Sequence, residues 1–528
     1  MRAPFALVIC GAVWMVSAEP SPGQQATSQV PLSVIDWLDQ PQETQTPVAL
    51  PSRPAATRID EPPVTADGTA PNVTVRSLDG TAPRDVGLVP EAVTGLPRDV
   101  WERSTPDDLL RLLENLPDLQ LPAANALLYK LLLAEAGPPQ GGPQGLDRLS
   151  LARVHKLMTL GALDPALSLI EQAGSTATPA YFDLWMQISL LTGDEDAACG
   201  ALSRAPHLST DYGNRIFCLA RTGDWETASV TLNSATALGL IDRDKLRLLD
   251  HFLNPDLFED APPPRAPRQM DPLSFRLFET IGEPLPTGPL PRAYAVADLR
   301  DVAGWKSQLE AAERLTRAGA LPENRLLGLY TDRKPAASGG IWDRVAALQR
   351  FETALGSGSA QAVAKTLPPV WAAMQEAELE VAFAGLFAET LEGITLSGRS
   401  EVIQFQVGLL SPFYERAAES VPPQMDTLEG DLLSSVALGR APARAPDAPL
   451  AAAVFEAFVT PMPIDGLPET ARDKKLGEAI LGALDLLAEG AAGDPNALRD
   501  ALTTLRALGL EDTARRAALQ VLLLDRAS

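Results

Sequence analysis

The stretches LGALDPAL (residues 160–167), LTGDEDAA (residues 191–198) and RTGDWETA (residues 221–228) decide the fold, because each predicts the end of one helix and the start of the next. In the second and third stretches the glycine suits the left-handed position that ends a helix. The aspartate after it suits the N-cap of the following helix. In the first stretch Asp164 and Pro165 are a favourable pair for a helix start. The glycines are 32 and 30 residues apart, a spacing typical of repeated helix pairs.

The sequence over about residues 150–240 resembles the tetratricopeptide-like helical repeats. The resemblance rests on the turn Gly223-Asp224 and on the helix start Trp225-Glu226-Thr227-Ala228. Trp225 occupies a position where such repeats often pack an aromatic ring. The resemblance implies an α-solenoid, a superhelix of antiparallel helix pairs that binds proteins. It does not name a ligand.

Helical periodicity dominates from Trp101 to the end of the sequence, and period-two alternation is almost absent. We therefore expect an all-α protein of stacked antiparallel helix pairs, arranged in two lobes. Residues 101–254 are predicted to form an N-terminal helical-repeat lobe and residues 292–528 a C-terminal helical lobe. Residues 255–291 are rich in proline and are predicted to connect the lobes, with one short helix at about residues 272–281.

Residues 1–18 have the pattern of a cleaved signal peptide. Arg2 is followed by an apolar stretch of 14 residues, which is too short to span a bilayer, and Ala18 ends a small-residue cleavage motif. No later segment is long and apolar enough to cross a membrane. An excess of Arg over Lys, with abundant Ala and Pro, favours a GC-rich bacterial source, so we expect export to the periplasm.

Residues 19–100 hold 13 prolines in 82 positions and are predicted to be a disordered tether. Within it, residues 32–39 form a short apolar motif that predicts one or two helical turns. A tryptophan in a polar tether favours a docking motif, made by Val34, Ile35, Trp37 and Leu38, that binds a groove on this protein or on a partner. The alternative is a chance apolar cluster. The stretch from Val86 to Trp101 is predicted to lie against the first helix of the folded body.

Two cysteines remain once Cys10 is removed with the signal peptide. Cys199 and Cys218 fall at similar depths in two consecutive helices, which run antiparallel in a hairpin. Because the periplasm is oxidising, we predict a disulfide between them. Two buried free thiols are the alternative.

Composition excludes several classes of function. The formal net charge is −24 and the pI is about 4.6, which argues against nucleic-acid binding, since that needs a basic surface. The three histidines are not spaced as metal ligands, and His155 is predicted to pack inside a helix. Phosphate-loop, dinucleotide and nucleophile-elbow motifs are absent, so we expect no cofactor and no catalytic site.

The loop over residues 330–340 is the least ordinary segment of the C-terminal half. Arg333 and Lys334 stand out in an acidic chain, and Trp342 follows a run of small residues. These three residues are a possible contact loop for a partner. An ordinary connection between helices is the alternative.

These observations favour a non-catalytic periplasmic adaptor or scaffold. It would bind protein partners in the periplasm or at the membrane periphery, as a helper of an envelope machine such as a motility motor or a secretion complex, and it could also bind another copy of itself. The alternative is a peptidoglycan-binding or peptidoglycan-cleaving protein. Cleavage would need a catalytic glutamate in a lysozyme-like lobe, and no such motif is present.

The signal peptide can be tested directly. We expect the periplasmic protein to begin at Glu19, because small residues precede it at the positions that signal peptidase recognises. N-terminal sequencing of the protein from a periplasmic fraction checks this. A protein that begins at Met1 and remains in the cytosol would contradict the whole prediction of export.

Overall fold

The computed structural model describes residues 86–459 and 468–524. Within these residues every regular element is a helix, and extended pairing is limited to isolated bridges. The all-α prediction is therefore confirmed for this part of the chain. The predicted signal peptide and the docking motif at residues 32–39 lie outside the described residues.

The first half of the described chain holds ten α-helices and two short 3₁₀ turns. The helices are α1 (Glu91–Thr94), α2 (Pro106–Asn115), α3 (Pro122–Leu133), α4 (Gly142–Leu160), α5 (Leu163–Ala173), α6 (Pro179–Thr192), α7 (Glu195–Arg204), α8 (Tyr212–Arg221), α9 (Trp225–Leu238) and α10 (Arg243–Leu253), and the 3₁₀ turns are Pro206–Leu208 and Pro255–Leu257.

The second half continues in the same way. Its helices are α11 (Pro272–Thr280), α12 (Ala295–Asp298), α13 (Trp305–Arg317), α14 (Glu323–Thr331), α15 (Ile341–Gly356), α16 (Ala360–Glu376), α17 (Glu380–Glu392), α18 (Arg399–Leu410), α19 (Tyr414–Ala418), α20 (Leu428–Ala437), α21 (Pro449–Val459), α22 (Glu469–Arg472), α23 (Leu476–Ala491), α24 (Pro495–Ala507) and α25 (Glu511–Leu523), with 3₁₀ turns at Arg292–Tyr294 and Pro423–Met425.

The three turn stretches end their helices as predicted but do not all cap the next helix. Gly161 and Gly193 end α4 and α6 with φ of 83° and 85°, where glycine is favoured. Asp224 caps α9, and its carboxylate accepts a hydrogen bond from the Thr227 amide. Asp164 is not an N-cap, because α5 already begins at Leu163. Asp194 occupies the N-cap position of α7 without a side-chain capping bond.

Consecutive helices from α4 to α11 pack against one another, and alternate helices such as α4 and α6 or α8 and α10 are also in contact. The ends of the chain break this sequential order. Helices α2 and α3 pack against α23, and α3 also packs against α25. The described residues consequently form one compact unit. The two predicted lobes are not separate, because helices from both share one hydrophobic core.

Two contacts fix this closure of the chain. The indole of Trp101 is fully buried against Gly477, in the first turn of α23, and the Gly477 amide donates to the Val100 carbonyl at 3.0 Å. At the start of α3 the Ala123 amide donates to the side-chain oxygen of Gln520 in α25, 397 residues away. Both bonds bring backbone groups of the N-terminal segment against the C-terminal helices.

The folded body begins earlier than the predicted boundary at residue 100. Val86 bridges to Ala136 and Val89 to Ala134, in the segment that follows α3. Val86 is buried, as is Val100. This stretch contains enough apolar residues to pack on the folded body, as the sequence predicted for Val86 to Trp101, so the predicted tether boundary at residue 100 lies too late in the chain.

Arg153, in the middle of α4, joins this stretch to the core. Its guanidinium is completely buried and donates to the carbonyls of Val86, Leu132 and Ala134 at 2.6–2.9 Å. Burial lowers the pKa of Arg153 to about 10, so the group is still charged at neutral pH. Three carbonyl acceptors therefore stabilise the buried charge in place of a carboxylate.

A second core lies between α12 and α18 and is rich in aromatic rings. Phe351, Phe383 and Phe387 meet with ring centroids 4.9–5.3 Å apart. A buried polar cluster accompanies them, in which the carboxylate of Glu313 accepts from the Tyr330 hydroxyl and from the Arg344 guanidinium. Burial raises the pKa of Tyr330. The three side chains bind one another inside the fold, and so the cluster joins α13, α14 and α15.

The predicted connection at residues 255–291 is part of the folded body. Its short helix, α11, coincides with the helix predicted at about residues 272–281 and packs against α6 and α10. Phe275 and Phe278 are buried there. No helix among the described residues is long and apolar enough to cross a membrane.

The contact between Trp101 and α23 can be tested with two glycines of the same helix. A Cβ at Gly477 would overlap the Trp101 ring, whereas a Cβ at Gly482 would meet nothing within 4 Å. We expect Gly477→Ala to lower the free energy of unfolding by about 1–3 kcal/mol through overpacking. Gly482→Ala is the control and should raise it by up to about 1 kcal/mol through helix propensity. Urea unfolding followed by circular dichroism measures both, and equal midpoints would contradict the contact.

Candidate functional site

The best candidate for a binding site is a groove across α2, α4 and α6, which we call the α2–α4–α6 groove. Its cavity volume is about 580 Å³. The floor is apolar and the rim carries both signs of charge. The floor residues are Leu110, Leu113, Leu151, Ala152 and Leu184, and the charged or titratable rim residues are Glu114, Arg148, His155, Lys156 and Asp183.

Local sequence explains why the three helices leave a groove. Helix α2 begins at Pro106, and the Thr105 side chain caps it by accepting from the Asp108 amide. Helix α4 places Arg153 in the core, so that Leu151 and His155 fall on the other side of the helix. Helix α6 buries Phe182 and Met186 and turns its neighbouring positions towards the groove. Each helix thus contributes one face to the core and a narrower one to the groove.

The rim formed by α4 is basic. Arg148, His155 and Lys156 follow one another along the helix, and Arg148 pairs with Asp107 of α2. The Lys156 ammonium donates to the Leu116 carbonyl at the C-terminal end of α2, at 2.7 Å, where a cation is favoured. Burial lowers the pKa of Lys156. The α4 side of the groove therefore carries two cations, Arg148 and Lys156, each of which already has a partner within the chain.

The opposite side carries a half-buried carboxylate. Burial raises the pKa of Asp183, although the Ser209 hydroxyl donates to it at 3.2 Å. This carboxylate is partly desolvated and already accepts a hydrogen bond, so it competes only weakly with a ligand carboxylate for the cations on α4. A ligand with apolar side chains and a negative charge beside α4 suits this arrangement.

His155 corrects one prediction from the sequence. Its side chain is exposed on the groove rim instead of packed inside the helix. Arg153, two residues earlier, occupies the interior in its place. The other histidines lie on different elements, His207 in a 3₁₀ turn and His251 in α10. Among the described residues no group of His, Cys, Asp and Glu side chains could hold a metal ion.

The predicted contact loop is divided between exposed and packed residues. Arg333 pairs with Asp332, and its carbonyl accepts from the Gln349 side chain, so the loop is tied to α15. Lys334 is exposed. Trp342 instead contacts Trp305, with ring centroids 5.1 Å apart, and so packs α15 against α13. The structure gives Trp342 a packing partner within the chain.

Cys199 of α7 and Cys218 of α8 are joined by a disulfide, with their Cα atoms 4.7 Å apart. Both side chains are buried. The bridge lies in the hydrophobic core between α6 and α11, away from the lining of the α2–α4–α6 groove. It therefore acts on the stability of the helix pair and not on the groove.

Sequence reasoning missed the groove residues. Leu110 and Leu151 are half-buried, and in the sequence they are indistinguishable from core leucines of the same helices. The basic residues of α4 were a usable signal, since Arg148, His155 and Lys156 are close together in an acidic chain. Which side of α4 they occupy depends on tertiary packing.

Comparisons with known protein families, with curated proteins and with solved structures give no match for this chain.

The disulfide is tested by counting thiols in the denatured, unreduced protein purified from the periplasm. We expect none, because Cys199 and Cys218 are joined and Cys10 leaves with the signal peptide. Reduction before the assay is the control and should give two thiols. One thiol without reduction would mean that the signal peptide is retained, and two would contradict the bridge. Intact mass distinguishes these cases.

Proposed function

We propose that this protein is a non-catalytic adaptor of the bacterial cell envelope, which is exported to the periplasm and holds a segment of a partner protein in the α2–α4–α6 groove. The observation that carries the proposal is the combination of an apolar floor with basic residues along the α4 side of the groove, in a chain of net charge −24. Grooves of this kind suit amphipathic segments of other proteins. The resemblance to TPR-like repeats also supports the proposal, since the helices from α4 to α11 pack in sequence as the helices of such repeats do.

The chemistry of the groove indicates the chemistry of the partner. Leu110 and Leu151 are half-buried and belong to the groove floor, so they can receive two or three apolar side chains of a bound segment. Arg148 on the α4 rim is half-exposed beside Asp107, so it can also bind a carboxylate of the segment. The partner segment is therefore apolar and acidic.

A scaffold of this type needs no chemistry of its own. The carboxylate of Glu313 is bound inside the fold by Tyr330 and Arg344. The Glu195 carboxylate is buried and accepts from Arg276. Both carboxylates hold helices together. Binding to peptidoglycan is the alternative function, and co-sedimentation with sacculi distinguishes it from protein binding.

The groove is tested by placing a photo-crosslinking residue at His155 and mapping the product in the partner. We expect a crosslink to an apolar, acidic segment. Leu151→Glu should reduce the yield at least tenfold, because it places a carboxylate on the apolar floor. Leu428→Glu, in the first turn of α20, is the matched control, because it makes the same change at a half-exposed leucine outside the groove.

Two outcomes would contradict the proposal. One is an equal yield from Leu151→Glu and Leu428→Glu when thermal melting shows that both variants fold. The other is co-sedimentation of the protein with purified peptidoglycan sacculi and no crosslink to protein, which would favour the wall-binding alternative.

A further inference from the structure

The floor of the α2–α4–α6 groove is left partly uncovered by the described residues. Leu110, Leu151 and Leu184 are only half-buried, and the cavity above them has a volume of about 580 Å³. That volume lies within the roughly 300–1,000 Å³ of pockets that enclose a ligand. A segment that covers these leucines is therefore apolar, and it comes either from residues of this chain outside the described ones or from another molecule.

Residues 32–39 of this chain, which lie outside the described residues, have the chemistry that the groove requires. Asp36 and Asp39 are the charged residues among them, and the sequence from 19 to 52 contains no Lys, Arg or His. Trp37 is the only aromatic residue in the sequence from 19 to 85. The large apolar residues of the predicted docking motif are Val34, Ile35, Trp37 and Leu38. The motif is thus both apolar and acidic.

A helix over residues 32–39 would place this chemistry on suitable sides. The four apolar side chains of the motif fall at positions i, i+1, i+3 and i+4, which share one side of a helix. Asp39 would border that side, next to Ile35. With the apolar side on the groove floor, Asp39 can lie beside α4, where Arg148 is half-exposed. Glu114 and Asp183 line the groove from α2 and α6, so they favour this orientation over its reverse.

The sequence between the motif and the folded body is long enough for the motif to reach the groove of its own chain. It runs from residue 40 to residue 85, and a random coil of that length has an end-to-end distance of about 37 Å. Val86, the first described residue, is bound through its carbonyl to Arg153 of α4. Helix α4 is about 10–12 Å wide and lines the groove with its other side.

We propose that residues 32–39 bind in the α2–α4–α6 groove of their own chain, and that a partner segment must displace them. This inference rests on the proposed function, because both segments use the same groove. A linker of this length gives an effective concentration of about 1 mM, which favours the motif of the same chain over that of a second copy. Two chains of net charge −24 also repel one another.

A weak contact is sufficient for this form of autoinhibition. At an effective concentration of about 1 mM, a segment that binds in trans with a Kd of about 100 µM occupies about nine-tenths of the grooves. The apparent affinity of a competing segment then falls about tenfold. A partner therefore needs a higher affinity or a high local concentration, and the groove leucines stay covered in its absence.

Photo-crosslinking within the purified mature chain tests the inference with no partner present. A photo-reactive residue at His155, on the groove rim, should crosslink to residues 32–39 and give a product with the mass of a monomer. Leu38→Glu should lower the yield about tenfold, because it places a carboxylate on the apolar side of the motif. Leu50→Glu is the matched control, since it makes the same change in the predicted tether outside the motif, and it should crosslink as the wild type does.

Three results of this experiment would overturn the inference. They are the lack of any product at residues 32–39, an equal yield from Leu38→Glu and Leu50→Glu, and a product that joins two chains, because a second copy would then occupy the groove. The proposed function has a separate readout, which is the crosslink to a partner protein. A product within the monomer without any crosslink to a partner would count against the proposed function alone.

Competition by a labelled synthetic peptide of residues 31–40 measures how far the groove is already occupied. Its binding to the full mature chain is followed by fluorescence anisotropy. Leu38→Glu should bind the peptide about tenfold more tightly than the wild type, because its own motif no longer competes, whereas Leu50→Glu should match the wild type. Equal affinities of the two variants, or no binding to either, would contradict the inference. Thermal melting checks that both variants are folded.

Discussion

The structure depends on the mutual burial of its two ends. Helices α2 and α3 have apolar faces that the sequential stack does not cover, and α23 and α25 cover them. The indole of Trp101 lies where α23 provides Gly477 in place of a side chain, so the approach requires a glycine at that point. In an open helical array each unit contacts only its neighbours. Here the first and last helices are neighbours as well, and one core holds them.

A buried charge sets the position of the N-terminal segment within this arrangement. Arg153 presents several donors in a fixed geometry, and the carbonyls of Val86, Leu132 and Ala134 are placed to receive them. Removing the guanidinium would leave these acceptors without a donor, at about 1–3 kcal/mol for each buried group. The opposite side of α4, with Leu151 and His155, lines the groove.

Local rules predicted the helices well and their long-range arrangement poorly. The glycine turns at Gly161 and Gly193 and the cap at Asp224 follow from backbone preferences that a short stretch displays. The closure of the chain rests on pairs such as Ala123 and Gln520, which no local pattern connects. The predicted division into two lobes did not account for such contacts. Residues 255–291 are rich in proline and resemble a linker, but α11 within them packs against α6 and α10. The groove was missed because its leucines differ from core leucines only in tertiary surroundings.

The closure of the chain also governs the order in which the protein can form. A chain that emerges from its N-terminus presents α2 and α3 several hundred residues before α23 and α25 exist to cover them. Until then their apolar faces are open to water and to other chains, a state in which large proteins aggregate. Contacts of such sequence separation also slow folding. A linear repeat protein can add finished units one at a time, whereas this protein reaches its native core only when synthesis of the last helix is complete.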